Sequence, residues 1–195
     1  MKKIFWLFRG ALLGLVAAVN VFAADVYTID PAHSEIGFAV KHLTVSTVRG
    51  NFKDFAGTIQ LDPADPASLS AEATIQAASI DTNAEGRDTH LKSIDFFDTE
   101  TYPTITFKST GAQKEGEEYI LTGDLTMHGV TKQVTIPLSI AGPVKGMKEA
   151  MVIGLSGDLS INRQDYGISW NKTLDTGGLV VSDDVRITVN LEAKK

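Results

Sequence analysis

Apolar and polar residues alternate with a period of two along most of the chain after Val26. A strand with this pattern buries one face and exposes the other to water, which is the behaviour of antiparallel sheets. Turn signals such as residues 128–129 and 141–143 separate the runs, which predicts a meander of roughly eight or more strands in one domain. The clearest runs are residues 34–42, 69–77, 119–128, 134–140 and 185–191.

Residues 83–93 interrupt this alternation. The segment carries charged and polar side chains with few β-branched residues, and Asp81, Thr82 or Asn83 is suited to cap a helix that starts there. The sequence therefore predicts one short helix between two strands. A second helical turn is predicted at residues 164–166.

Half-buried strands in this number can hide their apolar faces in two architectures, a two-sheet sandwich or a closed barrel. Several positions on the apolar faces are small, which leaves space inside, and an eight-stranded barrel can hold a ligand in such a space. Large side chains on facing strands would fill the same space in a packed core, so the pattern alone leaves both architectures open. The small positions are Ala71, Ala73, Ala77, Gly123 and Gly157.

The first 23 residues have the features of a secretory signal peptide. A basic start that includes Lys2 precedes an uncharged apolar run at residues 10–19, and Val21 and Ala23 suit the −3 and −1 positions of a peptidase site. The apolar run has about half of the ~20 residues that a membrane span needs. We therefore expect a signal peptide at residues 1–23 that is cleaved on export, a periplasmic location and no stable membrane insertion.

Composition and charge narrow the function classes further. The chain of 195 residues has a net charge of −6, and removal of the basic signal makes it three units more negative. A domain of residues 24–195 with this charge is not expected to bind nucleic acid through its phosphates. The absence of cysteine excludes disulfides, thiolate metal sites and a cysteine nucleophile.

The sequence offers little recognisable catalytic or metal-binding chemistry. Four histidines lie on separate segments without zinc-site spacing, so they are expected to bond individually to nearby backbone or carboxylates. Residues 154–158 lack the final glycine of a nucleophile elbow, and the adjacent Asp183 and Asp184 are expected to be solvated turn residues. No catalytic residue, metal or cofactor is therefore predicted. The histidines are His33, His42, His90 and His128.

Arg87, Asp88 and His90 form the densest polar cluster, on the predicted helix. Arg87 and His90 are three residues apart and would share one helical face, so at a barrel mouth they would suit a phosphate or polar head group. In the other interpretation the cluster ties the helix to neighbouring strands. Asn162 and Arg163 carry the same two interpretations. A buried arginine would need an acidic partner, for which Asp88 is a candidate.

Several short motifs, taken in their order and spacing, carry a resemblance to a known family. The most specific stretch comprises residues 80–83, 87–93, 95–97, 102–103 and 106–109. Further matches are residues 29–30, 33–34, 40–43, 50–57, 121–126, 129–132, 161–163 and 166–167, and Trp170. Together they resemble the YceI-like family of exported lipocalin-like proteins, also called polyisoprenoid-binding proteins, over essentially the whole predicted mature chain.

The resemblance implies a mainly β fold, an extended eight-stranded antiparallel lipocalin-like barrel with one short helix packed beside it. It also implies a non-enzymatic role and an elongated apolar cavity that takes a long isoprenoid or other lipid-like chain. Aromatic residues are ordinary core by default, and only the resemblance assigns them to a cavity wall. The wall so assigned is Ile36, Phe38, Val40, Phe52, Phe96, Phe97, Phe107, Leu125 and Trp170. The polar clusters described above give the candidate head-group site, which is Arg87, Asp88, His90, Asn162 and Arg163.

Three functions follow as hypotheses. The leading one is a periplasmic carrier, monomeric or homodimeric, that sequesters a polyprenyl phosphate or a quinone without a cofactor. The second is an enzyme acting on a lipid or quinone in the same cavity, with His90, Asp88 and Arg87 as acid–base groups. The third is a structural β module with a filled core. The presence of a cavity and the position of the polar cluster distinguish the three.

Overall fold

The computed structural model describes residues 24–62, 64–173 and 179–195, and the predicted signal peptide lies outside this range. Within it the chain forms eleven strands and one α-helix. The strands are β1 (Asp25–Ile29), β2 (Glu35–His42), β3 (Ser46–Phe52), β4 (Phe55–Asp62), β5 (Asp65–Gln76), β6 (Ile80–Asp81), β7 (Thr104–Glu115), β8 (Glu118–Met127), β9 (Val130–Lys145), β10 (Met151–Asn162) and β11 (Val181–Lys194). The helix is α1 (Glu85–Lys92), and short 3-10 helices lie at Pro31–His33, Ala77–Ser79, Met147–Glu149 and Arg163–Tyr166.

The strands form an antiparallel meander that closes on itself. β1 and β2 both pair with β11. β4 pairs with β1 and β3 with β2, and in the next position β5 pairs with β4 and β6 with β3. The first six strands therefore occupy three positions, and the eleven strands occupy eight positions around a barrel. Closure comes from β1 and β11, where Thr28 pairs with Lys194 and Ile29 with Ala193. The predicted eight-stranded barrel is confirmed and the sandwich is excluded, because the first and last strands are hydrogen-bonded to each other.

One predicted strand end is wrong. Residues 141–143 have turn chemistry, yet β9 runs through them to Lys145. The turn residues are absorbed as an irregularity in the β9–β10 pairing, which changes register between Val152 and Gly154. Gly142 has a φ of 95°, and a Cβ there would lie 2.7 Å from the Val152 carbonyl oxygen. Gly142 therefore allows the long strand β9 to bend here, because a residue with a Cβ would not tolerate this conformation and close contact.

The predicted helix is confirmed as α1, while its predicted cap is wrong. The N-cap position is Ala84, and no side chain caps the helix there. Asp81 instead accepts a hydrogen bond from the Asn83 amide at 2.8 Å, and Thr82 bonds to the side chain of Asp88 inside the helix. The predicted second helical turn is present as the 3-10 helix Arg163–Tyr166. No α-helix in the described part of the chain combines the length and apolar character needed to cross a membrane.

The solid part of the core lies at the end of the barrel farthest from α1. This end is formed by the β4–β5 and β9–β10 hairpins. Its inward side chains include Tyr27, Leu61, Leu69 and Ile153, all of which are essentially inaccessible to water. Nearer α1, the space beside the small inward residues Ala71 and Ala73 is open. The packed layer is therefore the floor of an internal cavity.

Candidate functional site

An internal cavity of about 400 Å³ extends from this floor to α1. Its volume lies within the range of about 300–1,000 Å³ that is usual for ligand sites. Aliphatic and aromatic side chains from the inward faces of the strands form most of its wall. The alternating pattern of the sequence therefore builds an apolar container.

The structure places all nine residues of the predicted apolar wall on the cavity surface. Six of them are aromatic, and five of these six meet in two groups. In the first group the ring centroid of Phe52 lies 6.0 Å from Phe38 and 5.9 Å from Phe97. In the second, Phe96 and Trp170 are 5.1 Å apart. The nine are Ile36, Phe38, Val40, Phe52, Phe96, Phe97, Phe107, Leu125 and Trp170.

Much of the wall was missed by the sequence analysis. The missed residues are mainly aliphatic, and the same period-two alternation points them inward. A count of inward positions on every strand would have found them. They include Val48, Ala71, Ala73, Ile105, Leu121, Met127, Ile136, Leu155, Val185, Ile187 and Leu191.

The small inward residues fall into two groups. Ala71 and Ala73 border the open cavity. Gly123 and Gly157 leave no open space, because a Cβ would lie 2.5 Å from the ring of Phe107 and 2.7 Å from the side chain of Leu138 respectively. The Phe107 ring fills the gap at Gly123, the Pro137 backbone and the Leu138 side chain close the gap at Gly157, and the alanines of β5 border open cavity.

Arg87 borders the cavity from α1. Its Nε donates a hydrogen bond to Thr82 Oγ1 at 2.7 Å, and its Nη2 donates to the Thr82 carbonyl oxygen at 2.8 Å. Among the described residues, no carboxylate oxygen lies within 4.0 Å of its guanidinium. Arg87 is therefore a positioned cation at the cavity that has no acidic partner there.

Asp88 supports this arrangement without reaching the cavity. Its Oδ1 accepts hydrogen bonds from both the amide and the hydroxyl of Thr82. Thr82 is only 5% exposed, so the acceptor that orients Arg87 is itself held in place. Of the two interpretations of the cluster, Asp88 fits the one in which it ties the helix to the barrel.

His90 packs against both aromatic residues of the second group. Its ring is perpendicular to Phe96 and to Trp170, with centroids 5.0 Å away in each case. Its Nε2 forms a 2.8 Å contact with Asp95 Oδ2 on the exposed side. His90 therefore borders the cavity beside two aromatic rings and directs one nitrogen to a carboxylate that does not border it.

Arg163 is buried, with 4% of its surface exposed, and it braces one side of the cavity. Its guanidinium donates to the carbonyl oxygens of Ile168 at 2.6 Å, Trp170 at 2.9 Å and Ser182 at 2.9 Å. Its acidic partner is Asp183, 3.2 Å from Nη2. Burial lowers the pKa of Arg163 from its ordinary value, and the nearby Asp183 charge opposes this shift.

Four expectations about this region are therefore corrected. The partner of the buried arginine is Asp183 and not Asp88, so Asp183 is a structural ion-pair residue and not a solvated turn residue. Asn162 lies on the surface, where its Oδ1 accepts a hydrogen bond from the Gln164 amide at 2.9 Å and starts the 3-10 helix. Asn162 and Asp88 do not border the cavity, whereas Arg87, His90 and Arg163 do.

A second polar cluster lies at the β1–β11 seam. Potential metal-ligand atoms of Asp30, His33 and Glu192 come within 4.8 Å of one another. The Lys194 ammonium is hydrogen-bonded to Asp30 and lies 3.6 Å from Glu192. Lys194, followed by His33, lowers the pKa of Asp30 to about 2. Because Lys194 already compensates the charge of these carboxylates, the cluster is a salt-bridge network that stabilises the pairing of β1 with β11.

Most histidines bond individually, as expected. His33 contacts Asp30 at 2.6 Å, His90 contacts Asp95, and His128 Nδ1 lies 3.1 Å from the Tyr166 carbonyl oxygen. These contacts are on three different parts of the barrel.

A closed eight-stranded antiparallel barrel, with a helix beside it and an apolar cavity inside it, defines the class of lipocalin-like barrels. Within this class, the YceI-like domain model matches residues 27–193. The chain belongs to the YceI-like family. The sequence resemblance is thereby confirmed.

Relatives and solved structures agree with this assignment. The chain is 40% identical over 167 residues to a UPF0312 protein of Staphylococcus aureus strain N315, covering 85% of this chain and 95% of that one. BcnA of Burkholderia cenocepacia superposes with a TM-score of 0.75 at 31% identity, covering 85% of this chain and 99% of BcnA. The YCEI protein of Campylobacter jejuni gives a TM-score of 0.69 at 35% identity, covering 80% and 89%.

A more distant structure shares the fold. A polyisoprenoid binding domain from Saccharophagus degradans superposes with a TM-score of 0.62 at 19% identity, covering 88% of this chain and 98% of that domain.

Proposed function

We propose that this protein is a carrier that encloses a long apolar isoprenoid-type lipid, a polyprenyl phosphate or a quinone, in the barrel cavity. The observation that carries the proposal is an apolar cavity of about 400 Å³ inside the barrel. Ala71, Ala73 and six Phe or Trp rings border it. Each methylene removed from water contributes about 0.8 kcal/mol, so such a space can bind a hydrocarbon chain without covalent chemistry. The description of the Saccharophagus degradans domain as polyisoprenoid binding supports the same ligand class.

The arrangement of the polar cluster favours a carrier over an enzyme. An acid–base mechanism needs titratable groups that converge on the reactive end of the ligand. Asp88 is directed to Thr82 and lies away from the cavity, and the Nε2 of His90 is directed to Asp95. Of the three acid–base residues in the enzyme hypothesis, Asp88 does not border the cavity and His90 is bonded to a carboxylate outside it.

We also propose that the carrier works in the periplasm after removal of a signal peptide. The expected amino terminus of the exported protein is Ala24, because Val21 and Ala23 suit the peptidase site. Amino-terminal sequencing of the protein purified from a periplasmic fraction measures this directly. Exported material that begins at Met1, or a protein retained in the cytoplasm, would refute the signal-peptide hypothesis.

Filling the cavity is expected to weaken binding of the lipid. Ala73 borders the cavity between Gly57 on β4 and Phe107 on β7. Ala73→Phe places a ring in the space that the lipid chain would occupy, displacing at least two methylenes and lowering affinity about tenfold or more. The measurement is the lipid retained on purification, identified by native mass spectrometry and solvent extraction.

The matched control is Thr74→Phe. Thr74 is the neighbouring residue on the exposed face of β5, so this variant adds the same ring outside the barrel. It is expected to retain the lipid of the wild-type protein. Equal lipid content in Ala73→Phe and Thr74→Phe, with both variants folded, would show that the cavity is not the lipid site.

A further inference from the structure

We propose that the end of the barrel that carries α1 docks reversibly on a phospholipid bilayer through exposed aliphatic side chains around the cavity opening. This inference rests on the proposed carrier function and adds the surface from which the lipid is taken up. The exposed residues are Val45, Ile94 and Leu179, which we call the apolar rim. Apolar contact, and not charge, provides the attraction.

The rim residues come from three separate segments of the chain. Val45 lies in the turn between β2 and β3, Ile94 follows α1 by two residues, and Leu179 precedes β11 by two. Val45 is 83% exposed and Ile94 is 82% exposed, and Leu179 is exposed as well. Aliphatic side chains with this exposure have little contact with the barrel and are available to a second apolar phase.

The apolar rim adjoins the cavity at each of its residues. The Leu43 amide donates a hydrogen bond to the Val180 carbonyl oxygen at 2.9 Å, which joins the turn that contains Val45 to the segment that contains Leu179. A lipid chain at the rim therefore passes between two apolar phases with little exposure of its methylenes to water. The cavity-bordering neighbours are His42 for Val45, Leu91 and Phe96 for Ile94, and Val180 for Leu179.

The cavity reaches solvent at the end that carries the rim. Lys41 and Arg87 both border the cavity and are exposed, and they lie on β2 and α1 at this end. The opposite end is closed by the packed floor that includes Tyr27 and Leu61. A lipid that entered through the floor would have to displace buried side chains, so we expect uptake at the rim.

The arrangement of the rim favours a bilayer over a protein partner. Polar residues flank both Val45 and Ile94, at positions 44, 46, 93 and 95, so these aliphatic residues are isolated points and not a continuous patch. A stable protein interface needs a large contiguous surface with a well-packed core. A bilayer is fluid and accommodates isolated side chains, and its affinity scales with the apolar area buried. So small an area gives weak, reversible binding, as a carrier that leaves with its lipid requires.

The net charge of the protein argues against docking by electrostatic attraction. Acidic residues outnumber basic ones, and the excess grows when the basic predicted signal is removed. An anionic leaflet therefore repels the domain as a whole. Docking through the apolar rim should need no anionic lipid and should persist at high salt.

The floor end supplies a matched control within the same chain. Its exposed large apolar residues, among those described, include Val144 near the end of β9 and Met147 in the connection to β10. They resemble the rim in exposure and chemistry, yet they lie at the closed end of the barrel. A bilayer contact there would give a lipid no route into the cavity.

The test measures two quantities on residues 24–195, which contain every strand of the barrel. Flotation with phosphatidylcholine vesicles gives the partition coefficient, and Trp170 fluorescence follows uptake of geranylgeraniol from the same vesicles, because Trp170 borders the cavity. The wild-type protein is expected to float with the vesicles. The double variant Val45→Ser/Ile94→Ser should lower the partition coefficient about 10- to 100-fold, since two aliphatic side chains no longer enter the bilayer. Uptake should slow by a similar factor.

The control variant Val144→Ser/Met147→Ser is expected to match the wild-type protein within about twofold in both quantities. Val45 and Ile94 do not border the cavity, so the rim variant should keep its equilibrium affinity for geranylgeraniol within about twofold. The melting temperature verifies that each variant is folded.

The outcomes separate the docking inference from the proposed function. Failure of the wild-type protein to float, or equal losses in the rim and floor-end variants, would overturn docking through the rim while the affinity for geranylgeraniol remained. Flotation that required phosphatidylglycerol in the vesicles and was lost at high salt would show electrostatic adsorption and would also overturn it. A wild-type protein without affinity for geranylgeraniol would instead overturn the proposed function.

Discussion

Replacing Arg163 by alanine is expected to destabilise the barrel by about 3–5 kcal/mol, the usual cost of removing one partner of a buried ion pair. The mutation leaves Asp183 without its cation and the carbonyl oxygens of Ile168, Trp170 and Ser182 without this donor. The midpoint and slope of urea unfolding, followed by circular dichroism, measure the change. Because the Trp170 backbone is one of the groups released, its fluorescence should change in the same variant.

Arg186→Ala is the matched control for this prediction. Arg186 makes a comparable ion pair with Asp158 at 2.8 Å, but both side chains are exposed on the outside of the barrel. Surface pairs of this kind contribute little to stability. We therefore expect a small change in the unfolding midpoint. If the two arginine variants unfolded at the same urea concentration, Arg163 would not be the anchor that its four contacts indicate.

Phe55→Ala is expected to cost about 3–5 kcal/mol, whereas Phe107→Ala should cost no more than about half of that. Phe55 is 4% exposed and does not border the cavity. Phe107 is half-buried, and its ring covers Gly123 while bordering the open space. A side chain that already faces open space has fewer contacts to lose when it is truncated.

Lipid binding should reverse the order of these two variants. Phe107→Ala removes part of the cavity wall and is expected to weaken lipid retention, while folded Phe55→Ala retains it. Urea unfolding and lipid extraction on both proteins give the two rankings. A loss of about 3–5 kcal/mol in Phe107→Ala would place this ring in solid core and reduce the space available to a ligand.

The alternation of side chains was sufficient to predict the strands, because a half-buried strand has no other simple pattern. It was insufficient to choose between sandwich and barrel, since both bury one face of each strand. That choice depends on whether Thr28 pairs with Lys194, a contact between opposite ends of the chain. Turn chemistry at residues 141–143 misled for a related reason, because a bulge uses the same residues as a turn.

The sequence was sufficient to predict part of the apolar wall of the cavity, but it was insufficient to predict the polar contacts beside the cavity. Inward position follows from parity along a strand for Phe38, Phe52 and Phe107. Phe96, Phe97 and Trp170 lie outside the strands, and only the family resemblance assigned them to the wall. The partner of a buried arginine depends on which loops fold over it, and Asp183 lies 20 residues beyond Arg163. Thr82 was likewise assigned to a helix cap, because its contact with Arg87 depends on how α1 packs against β6.

The pairing of β1 with β11 has a consequence for how the molecule reaches its native state. Contacts between segments far apart in sequence form late, and β-rich domains dominated by them fold in milliseconds to seconds. Every earlier strand can pair with its neighbour as the chain emerges, yet the barrel cannot close before residues 181–194 are available. A chain delivered from its amino terminus therefore lacks the strand that pairs with β10, β1 and β2, and the apolar faces of its strands stay accessible. The last strand to arrive completes folding and seals the cavity in one step.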